Sequence, residues 1–200
     1  MTTASTTLRE LNGLSPAPSS LSDSALIMID YQNTYLEGVM KLEGANEAME
    51  EGRKLLELAR AKGIPVFHIR HDAGPGSPYD VNAHIGAIAD AVAPKDNEPV
   101  ITKNFPNSFV QTDLDDQLKA KGVKNIILAG FMTHMCVNST AHGGFNLGYS
   151  PTVVASTTAT RALKSANGKI LSAQEVHDGA LASTQDLYAA VVDQVTDLPA

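Results

Sequence analysis

Short apolar runs alternate with segments of helical spacing along this chain, and that alternation restricts the fold more than any other feature. The apolar runs predicted as strands are residues 25–29, 64–69, 99–101, 125–129, 152–155 and 189–192. The segments predicted as helices are residues 45–62, 113–121, 135–147 and 173–185. Strands that alternate with helices form βαβ units with a parallel sheet and helices on both faces. The pattern predicts an α/β fold, a Rossmann-like three-layer α/β/α sandwich with a mostly parallel sheet of about six strands.

Length and composition favour one folded domain with a polar arm before it. The chain has 200 residues, of which 43% are hydrophobic and 18% charged, and two full domains would be cramped. Residues 1–24 are rich in Ser and Thr, with Pro16 and Pro18 favouring extended chain, so we expect a polar arm there and the domain over residues 25–200. The arm lacks the pattern of a secretory signal. The single cysteine, Cys136, allows no internal disulfide, so we expect a cytoplasmic protein.

Charge and hydropathy exclude two classes of partner. The formal net charge is -7 and the basic residues are scattered singly, so binding to a nucleic-acid backbone is not expected. No apolar run approaches the length of a membrane span, so no membrane partner is expected either. A small molecule remains, and sheets of this kind bind ligands at the carboxyl ends of their strands.

Three chemically distinctive residues lie just past predicted strand ends. Asp30 ends the first strand, Lys103 follows the third, and Cys136 begins the helical segment after the fourth. A helix N-terminus lowers the pKa of a thiol, and a nucleophilic thiol also needs a base and a nearby positive charge. Taken singly, each residue has an ordinary interpretation: a packed cysteine, a loop-capping aspartate and a solvated lysine. Their shared place at the strand ends predicts one crevice.

The order and spacing of three motifs resemble those of the isochorismatase-like cysteine hydrolases. The segment DYQNTY, which begins at Asp30, is similar to the family signature D-x-Q-x-x-(F/Y). The segment ITKNFPNSF around Lys103 resembles the family's lysine segment, and GFMTHMCV, which contains Cys136, resembles its G-x-x-T-x-x-C-V box. The resemblance runs from about Ser24 to the C-terminus. It implies that residues 25–200 form an isochorismatase-like hydrolase domain.

The resemblance implies a catalytic triad and an oxyanion site. Cys136 would attack a carbonyl carbon and form a thioester, Asp30 would take the thiol proton and later return it, and Lys103 would hold both groups electrostatically. A cis peptide bond would fall at Phe131–Met132. That bond would turn the N–H of Met132 toward the same oxyanion as the N–H of Cys136.

Residues near the motifs are candidates for the substrate pocket, namely Gln32, Tyr35, Phe105, Thr133 and His134. Core packing explains Tyr35 and Phe105 equally well, and Thr133 would help to fix the cis turn. The segment from Arg70 to Glu98 has no strong periodicity and is rich in Gly, Pro and Asp. We predict that it is a substrate-covering loop with a short helix at residues 83–93.

Histidines leave two alternatives open. A candidate metal-ligand cluster consists of His68, His71, Asp72 and His84. Packed or solvated histidines are the more common case, so neither a metal nor another cofactor is expected. His134 and His142 flank Cys136 in the sequence, which leaves a Cys–His dyad as a competing mechanism. His177 is interpreted as structural.

Two details bear on specificity and assembly. The segment Ser156–Ala159 stands where many relatives carry an aspartate, which indicates a different substrate pocket, whereas Arg161 is interpreted as a surface residue. Gly143 and Gly144 lie inside a predicted helix and indicate close packing against a neighbour or a ligand. The resemblance also implies a homo-oligomer, a dimer or a tetramer.

Three functions are consistent with these residues. The leading hypothesis is hydrolysis of an amide or imide C–N bond through a cysteine thioester. The second is isochorismatase-type hydrolysis of a vinyl ether, in which Asp30 protonates the substrate and the thiol is not needed. The third is a catalytically silent binding protein of the same fold.

Overall fold

The computed structural model of the protein describes residues 3–95 and 97–200. The strands in these residues are β1 (Ser24–Ile29), β2 (Val66–His71), β3 (Val100–Lys103), β4 (Asn125–Phe131), β5 (Ser150–Ala159), β6 (Leu163–Lys164), β7 (Ile170–Leu171) and β8 (Ala190–Val192). The α-helices are α1 (Leu8–Leu11), α2 (Ala45–Lys62), α3 (Leu114–Ala120), α4 (Asn138–Asn146) and α5 (Ala173–Leu187).

The central sheet has the strand order β3-β2-β1-β4-β5-β8, and every neighbouring pair is parallel. Side chains of β1 alternate between two cores: Leu26 and Met28 belong to the core on the α2 side, and Ile27 and Ile29 to the core on the α3 and α4 side. Both faces of the sheet are therefore covered. The predicted three-layer α/β/α sandwich with a mostly parallel sheet of about six strands is confirmed.

Helix α2 forms over the residues that its periodicity predicts. Its buried face contains Ala45, Met49, Gly52, Leu55, Leu56 and Ala59. The helix ends at Gly63, whose φ of 68° is left-handed and whose N–H bonds to the carbonyls of Ala59 and Arg60. Gly52 permits a close approach, because a Cβ there would lie 2.2 Å from Tyr31 Oη.

Several elements near the ligand edge are longer than predicted. Strand β3 includes Lys103, and β4 continues to Phe131. Strand β5 spans ten residues, and most of its polar end is buried. The hydroxyl groups of Thr157 and Thr158 donate to the carbonyls of Val154 and Ala155. Residue type alone marks this stretch as polar and does not reveal its burial.

The helix predicted over residues 135–147 begins later, at Asn138. One π-helical turn, Thr133–Val137, precedes α4. The two glycines pack closely within the chain: a Cβ on Gly143 would lie 2.4 Å from Asn107 Nδ2, and one on Gly144 would lie 2.8 Å from Ile126 Cδ1. Neighbours in the same chain leave no room for a Cβ at either position. This close packing accounts for both glycines.

The described part of the N-terminal arm packs against the domain and contains a short helix that the sequence did not predict. Thr7 and Glu10 form a capping box around α1. The buried guanidinium of Arg9 donates to the carbonyls of Ser15 and Leu187, which joins the arm to the end of α5. One of these carbonyls belongs to the same arm, whereas that of Leu187 is 178 residues away, so local sequence does not reveal it.

The loop over residues 70–98 contains no α-helix in its described part, so the predicted helix at 83–93 was wrong. Two single 3₁₀ turns stand there instead, His84–Gly86 and Asp90–Val92. The β6–β7 hairpin was not predicted, since each of its strands has two residues. Among the described residues, no helix combines the length and apolar character needed to cross a membrane.

Candidate active site

Asp30, Lys103 and Cys136 meet at the carboxyl edge of the sheet. Lys103 Nζ donates to Asp30 Oδ2 at 2.7 Å and to Cys136 Sγ at 3.3 Å. The exposed fractions of Asp30, Lys103 and Cys136 are 0%, 1% and 5%. The three residues lie at the ends of β1 and β3 and in the turn after β4, so the parallel topology brings them together.

Asp30 has an unusual backbone conformation at the end of β1. Its φ of 51° lies in the left-handed region, which non-glycine residues seldom adopt and which is found more often at functional sites. The N–H of Asp30 donates to the carbonyl of Ile69, and its carbonyl accepts from the N–H of Gln32 at 2.7 Å. Oδ1 is buried without a hydrogen-bond partner in the described residues. One carboxylate oxygen is therefore held by Lys103, and the other is available to take a proton.

Lys103 remains a cation in this buried site. Burial by itself lowers the pKa of the amine, but the negative Asp30 and the Cys136 sulfur raise it by more, so its pKa lies above the ordinary value. The buried pair is stabilised by the opposite charge and by the hydrogen bonds of the ammonium. The ammonium supplies a positive charge next to both the Asp30 carboxylate and the Cys136 sulfur.

The thiol of Cys136 is protonated at neutral pH. Burial, and secondly the negative charge of Asp30, raise its pKa to about 12, although Lys103 opposes the shift. The lowered pKa that a helix N-terminus predicts was therefore wrong: Cys136 lies inside the π-helical turn, and burial outweighs any helix effect. An attack by this sulfur would need a proton acceptor, and Asp30 Oδ1 has no hydrogen-bond partner in the described residues.

The turn before Cys136 contains the cis peptide bond Phe131–Met132, at the position that the motif indicates. The Met132 carbonyl accepts from the N–H of Met135 and, more weakly, from that of Val137. Thr133 Oγ1 lies 2.9 Å from His177 Nδ1, so α5 holds this turn. His177 thus has the structural contact that the sequence interpretation assigned to it.

His71 lies at the site, and the sequence analysis considered it only as a metal ligand. Its Nδ1 is 3.2 Å from Lys103 Nζ. Gln32 fixes its backbone: Gln32 Oε1 accepts from the His71 N–H, and Gln32 Nε2 donates to the His71 carbonyl and to the Gly86 carbonyl. One feature could have indicated that His71 belongs to the site. It lies at the end of β2, the strand between β1 and β3.

Aromatic side chains form one wall beside the triad. Tyr35 is buried and packs edge-on against Phe131, with ring centroids 5.4 Å apart. Tyr79, from the loop over residues 70–98, packs edge-on against Tyr35 and His71 at 5.9 and 5.1 Å. Phe105 is instead 42% exposed. The wall includes Tyr79, which the sequence analysis did not single out.

The histidines flanking Cys136 have other contacts. His134 Nδ1 pairs with Thr160 Oγ1, and the ring of His142 stacks on Tyr188 with centroids 3.5 Å apart. Neither ring hydrogen-bonds Cys136 in the described residues, so the geometry gives no support to a Cys–His dyad. A polar cavity of about 280 Å³ lies beside the turn, between Thr160 and His177, and Cys136 does not line it.

The candidate metal ligands are also dispersed among separate contacts. His68 Nε2 lies 2.9 Å from Glu98 Oε2, and His84 Nε2 lies 3.1 Å from Glu37 Oε1. His71 contacts Lys103, a cation. Within residues 3–95 and 97–200, no three His, Cys, Asp or Glu side chains are grouped so that they can hold a metal ion.

Comparison with known proteins agrees with the observed fold. The family model described as the isochorismatase domain matches residues 24–194. The chain is 36% identical to the isochorismatase family protein YddQ of Bacillus subtilis, over 84% of this chain and 94% of that protein. It is 28% identical to the ureidoacrylate amidohydrolase RutB of Stutzerimonas stutzeri, over 72% of each. The crystal structure of an isochorismatase from Pseudomonas putida superposes with a TM-score of 0.93 at 34% identity, over 98% of this chain and 100% of that one.

Proposed function

The chain belongs to the isochorismatase family, and on that premise we propose that it hydrolyses an amide or imide C–N bond of a small molecule through a cysteine thioester. One observation carries the proposal. Lys103 Nζ contacts both Asp30 Oδ2, at 2.7 Å, and Cys136 Sγ, at 3.3 Å, inside a buried site. A cation in contact with both a nucleophile and a carboxylate is an arrangement that suits covalent acyl transfer.

The reaction begins with the protonated thiol. Asp30 Oδ1 takes the thiol proton as Cys136 Sγ forms a bond to the carbonyl carbon of the substrate. The tetrahedral intermediate collapses, the C–N bond breaks, and the leaving nitrogen takes the proton from Asp30. Water then attacks the thioester, gives one proton to Asp30 and releases the acid, and that proton returns to the sulfur. Asp30 is thus base and acid in turn.

The oxyanion of each intermediate needs hydrogen-bond donors. The backbone N–H groups of Met132 and Cys136 are the proposed donors, on either side of Thr133 in the turn. Lys103 remains an ammonium throughout and offsets the negative charge that develops on the sulfur. Gln32, Tyr35 and Phe105 are proposed pocket residues with Thr133 and His134.

The name of one relative supports C–N cleavage. RutB of Stutzerimonas stutzeri is a ureidoacrylate amidohydrolase, and this chain aligns with 72% of its length. The partner we propose is a small carbonyl compound, with no cofactor taking part. A homo-oligomer and a cytoplasmic location are further proposals that rest on the family resemblance and on the single cysteine.

Vinyl-ether hydrolysis is the second candidate, and one observation favours it. The structure that superposes at a TM-score of 0.93 is described as an isochorismatase. In that reaction a protonated Asp30 would donate its proton to the substrate, and Cys136 would make no bond. The two candidates differ in their need for the sulfur.

Substitution of Cys136 separates the two reactions. Cys136→Ala and Cys136→Ser are assayed for ammonia release from small amides and for hydrolysis of vinyl ethers, with Met135→Ala as the control because Met135 is 38% exposed in the same turn. We expect amide hydrolysis to be lost in both variants and kept in the control. Intact-mass spectrometry of the native protein should show an acyl adduct on Cys136. Amide turnover that survives without the sulfur would refute the thioester, and vinyl-ether turnover alone would favour the second candidate.

A further inference from the structure

We propose that His71 is a positioning residue of this site, which accepts the third N–H of the Lys103 ammonium through Nδ1 and holds the ammonium between Asp30 and Cys136. The role deepens the proposed hydrolase function and rests on it. Because His71 acts through Lys103, it need not contact the substrate. Gln32 lies in the same sequence motif as Asp30. It also has a role in this proposal, because it holds the main chain of His71.

The three donors of an ammonium have three acceptors here. Lys103 Nζ lies 2.7 Å from Asp30 Oδ2, 3.3 Å from Cys136 Sγ and 3.2 Å from His71 Nδ1. Lys103 is 1% exposed, so water does not readily replace a missing acceptor. Without the imidazole, one N–H would be left unsatisfied or the ammonium would turn away from its other two partners.

His71 is held on several sides, so its nitrogen has a defined position. Gln32 binds both its N–H, at 2.8 Å, and its carbonyl, at 2.9 Å. Tyr79 packs edge-on against its ring at 5.1 Å. Hydrogen bonds to the main chain and an aromatic contact together fix a side chain more closely than one contact would.

The proposed contact needs a neutral imidazole, because only an unprotonated Nδ1 can accept. The proton of the neutral ring must then be on Nε2. Burial, and then the positive Lys103, lower the pKa of His71, whereas Asp30 and Asp72 raise it. The net direction keeps the ring neutral at pH 7. The charged and titratable groups that face it are Lys103 from β3, Asp30 after β1, Asp72 next to it and Tyr79 from the loop.

Acidification should therefore impair the site through His71. When pH falls below the ordinary histidine pKa of about 6.5 and through the lower pKa of His71, the ring becomes a cation beside a cation. The protonated ring then repels the Lys103 ammonium and can no longer accept a hydrogen bond from it. The rate of hydrolysis should show an acid limb that belongs to His71.

Two variants of His71 distinguish the effect of the hydrogen-bond acceptor from that of the aromatic ring. His71→Asn places an amide oxygen near the position of Nδ1 and does not titrate, whereas His71→Phe keeps a ring against Tyr79 and removes the acceptor. We expect His71→Phe to lose kcat on the order of a hundredfold, as for a misplaced catalytic group, with a smaller change in KM. His71→Asn should recover much of that loss and lack the acid limb. His84→Asn is the control, because His84 is exposed in the same loop and pairs with Glu37.

A measurement without substrate distinguishes this proposal from the proposed function. Nitrogen-15 NMR of the histidine rings, assigned through the signal lost in His71→Asn, should show His71 as the Nε2–H tautomer that titrates below pH 6.5. An Nδ1–H tautomer overturns the proposal even if amides are hydrolysed. The expected tautomer with no amide turnover in the native protein refutes the hydrolase function while retaining the Lys103–His71 contact. If the native protein hydrolyses amides, two further results would overturn the proposal. They are full activity of His71→Phe and an unchanged acid limb in His71→Asn.

Discussion

At the scale of single residues, burial rather than helix position decides the state of the nucleophile. Cys136 is 5% exposed and has a negative neighbour in Asp30, and together they raise its pKa to about 12. The positive Lys103 reduces the shift without reversing it. The resting site is a thiol beside a carboxylate with one unpaired oxygen, and not a preformed thiolate. In the proposed reaction, proton transfer to Asp30 is therefore part of the attack.

The thiol state can be measured through alkylation, since Cys136 is the single cysteine of the chain. Only the thiolate reacts, so we expect the alkylation rate to rise about tenfold per pH unit from pH 7 to 10 without a plateau. An unperturbed small thiol with a pKa of about 8.5 is the control, and its rate should level off near pH 9. Intact-mass spectrometry counts the adduct. A plateau for Cys136 below pH 9 would show that its pKa is not raised.

At the scale of elements, the contact between β1 and β4 brings Asp30 close to the turn that precedes Cys136. Ile29 pairs with Gly130, so Asp30 leaves β1 next to the point where β4 enters the cis turn. Gly130 has a φ of 132°, and a Cβ there would lie 1.9 Å from the Ile29 carbonyl oxygen. Only glycine permits that approach without a shift of the backbone.

Substitution of this glycine should disrupt the strand pair. We expect Gly130→Ala to lower the free energy of unfolding by more than about 3 kcal/mol, because overpacking and backbone strain both act there. Gly122→Ala is the matched control: its φ of 68° is also positive, but nothing lies within 4 Å of an added Cβ. That change should cost about 1 kcal/mol from the left-handed conformation alone. Urea unfolding measures both, and equal losses would contradict the steric argument.

At the scale of the whole molecule, a second, partly buried ionic group joins three parts of the chain away from the triad. Glu98 accepts from Arg60 of α2 through both carboxylate oxygens, from the N–H of Lys95, and lies 2.9 Å from His68 Nε2 of β2. Burial raises the pKa of Glu98, but these hydrogen bonds outweigh it and lower the pKa to about 2. The group anchors the residues just before β3, and β3 carries Lys103.

Glu98 should make folding stability depend on pH. Its pKa is lower in the folded chain than the ordinary 4.5, so its contribution is complete above pH 4.5 and is lost as pH falls toward 2. We expect Glu98→Gln to lose about 2 kcal/mol at pH 7, as for a partly buried group that loses hydrogen bonds to a charged partner. The difference from the native protein should shrink below pH 4.5. Glu47→Gln, at an exposed position of α2, should change the stability by less than about 0.5 kcal/mol. A difference that is constant with pH would contradict this assignment.

The sequence by itself determined the layer architecture, the ligand edge and the triad candidates. Strand and helix periodicity are local properties, and parallel strands necessarily bring their carboxyl ends to one edge. The order of three motifs was enough to indicate Asp30, Lys103 and Cys136 together. The predicted oligomer stays a prediction, and the two glycines that were considered for a close contact pack against Asn107 and Ile126 of the same chain.

Tertiary structure alone decided the charge states and the partners within the site. Asp30 and Lys103 are 73 residues apart in sequence, so their contact and the burial around Cys136 do not follow from any local pattern. For the same reason His71 appears beside Lys103 only once β2 lies between β1 and β3. Periodicity depends on neighbours along the chain, whereas pKa values and hydrogen-bond partners depend on neighbours in space.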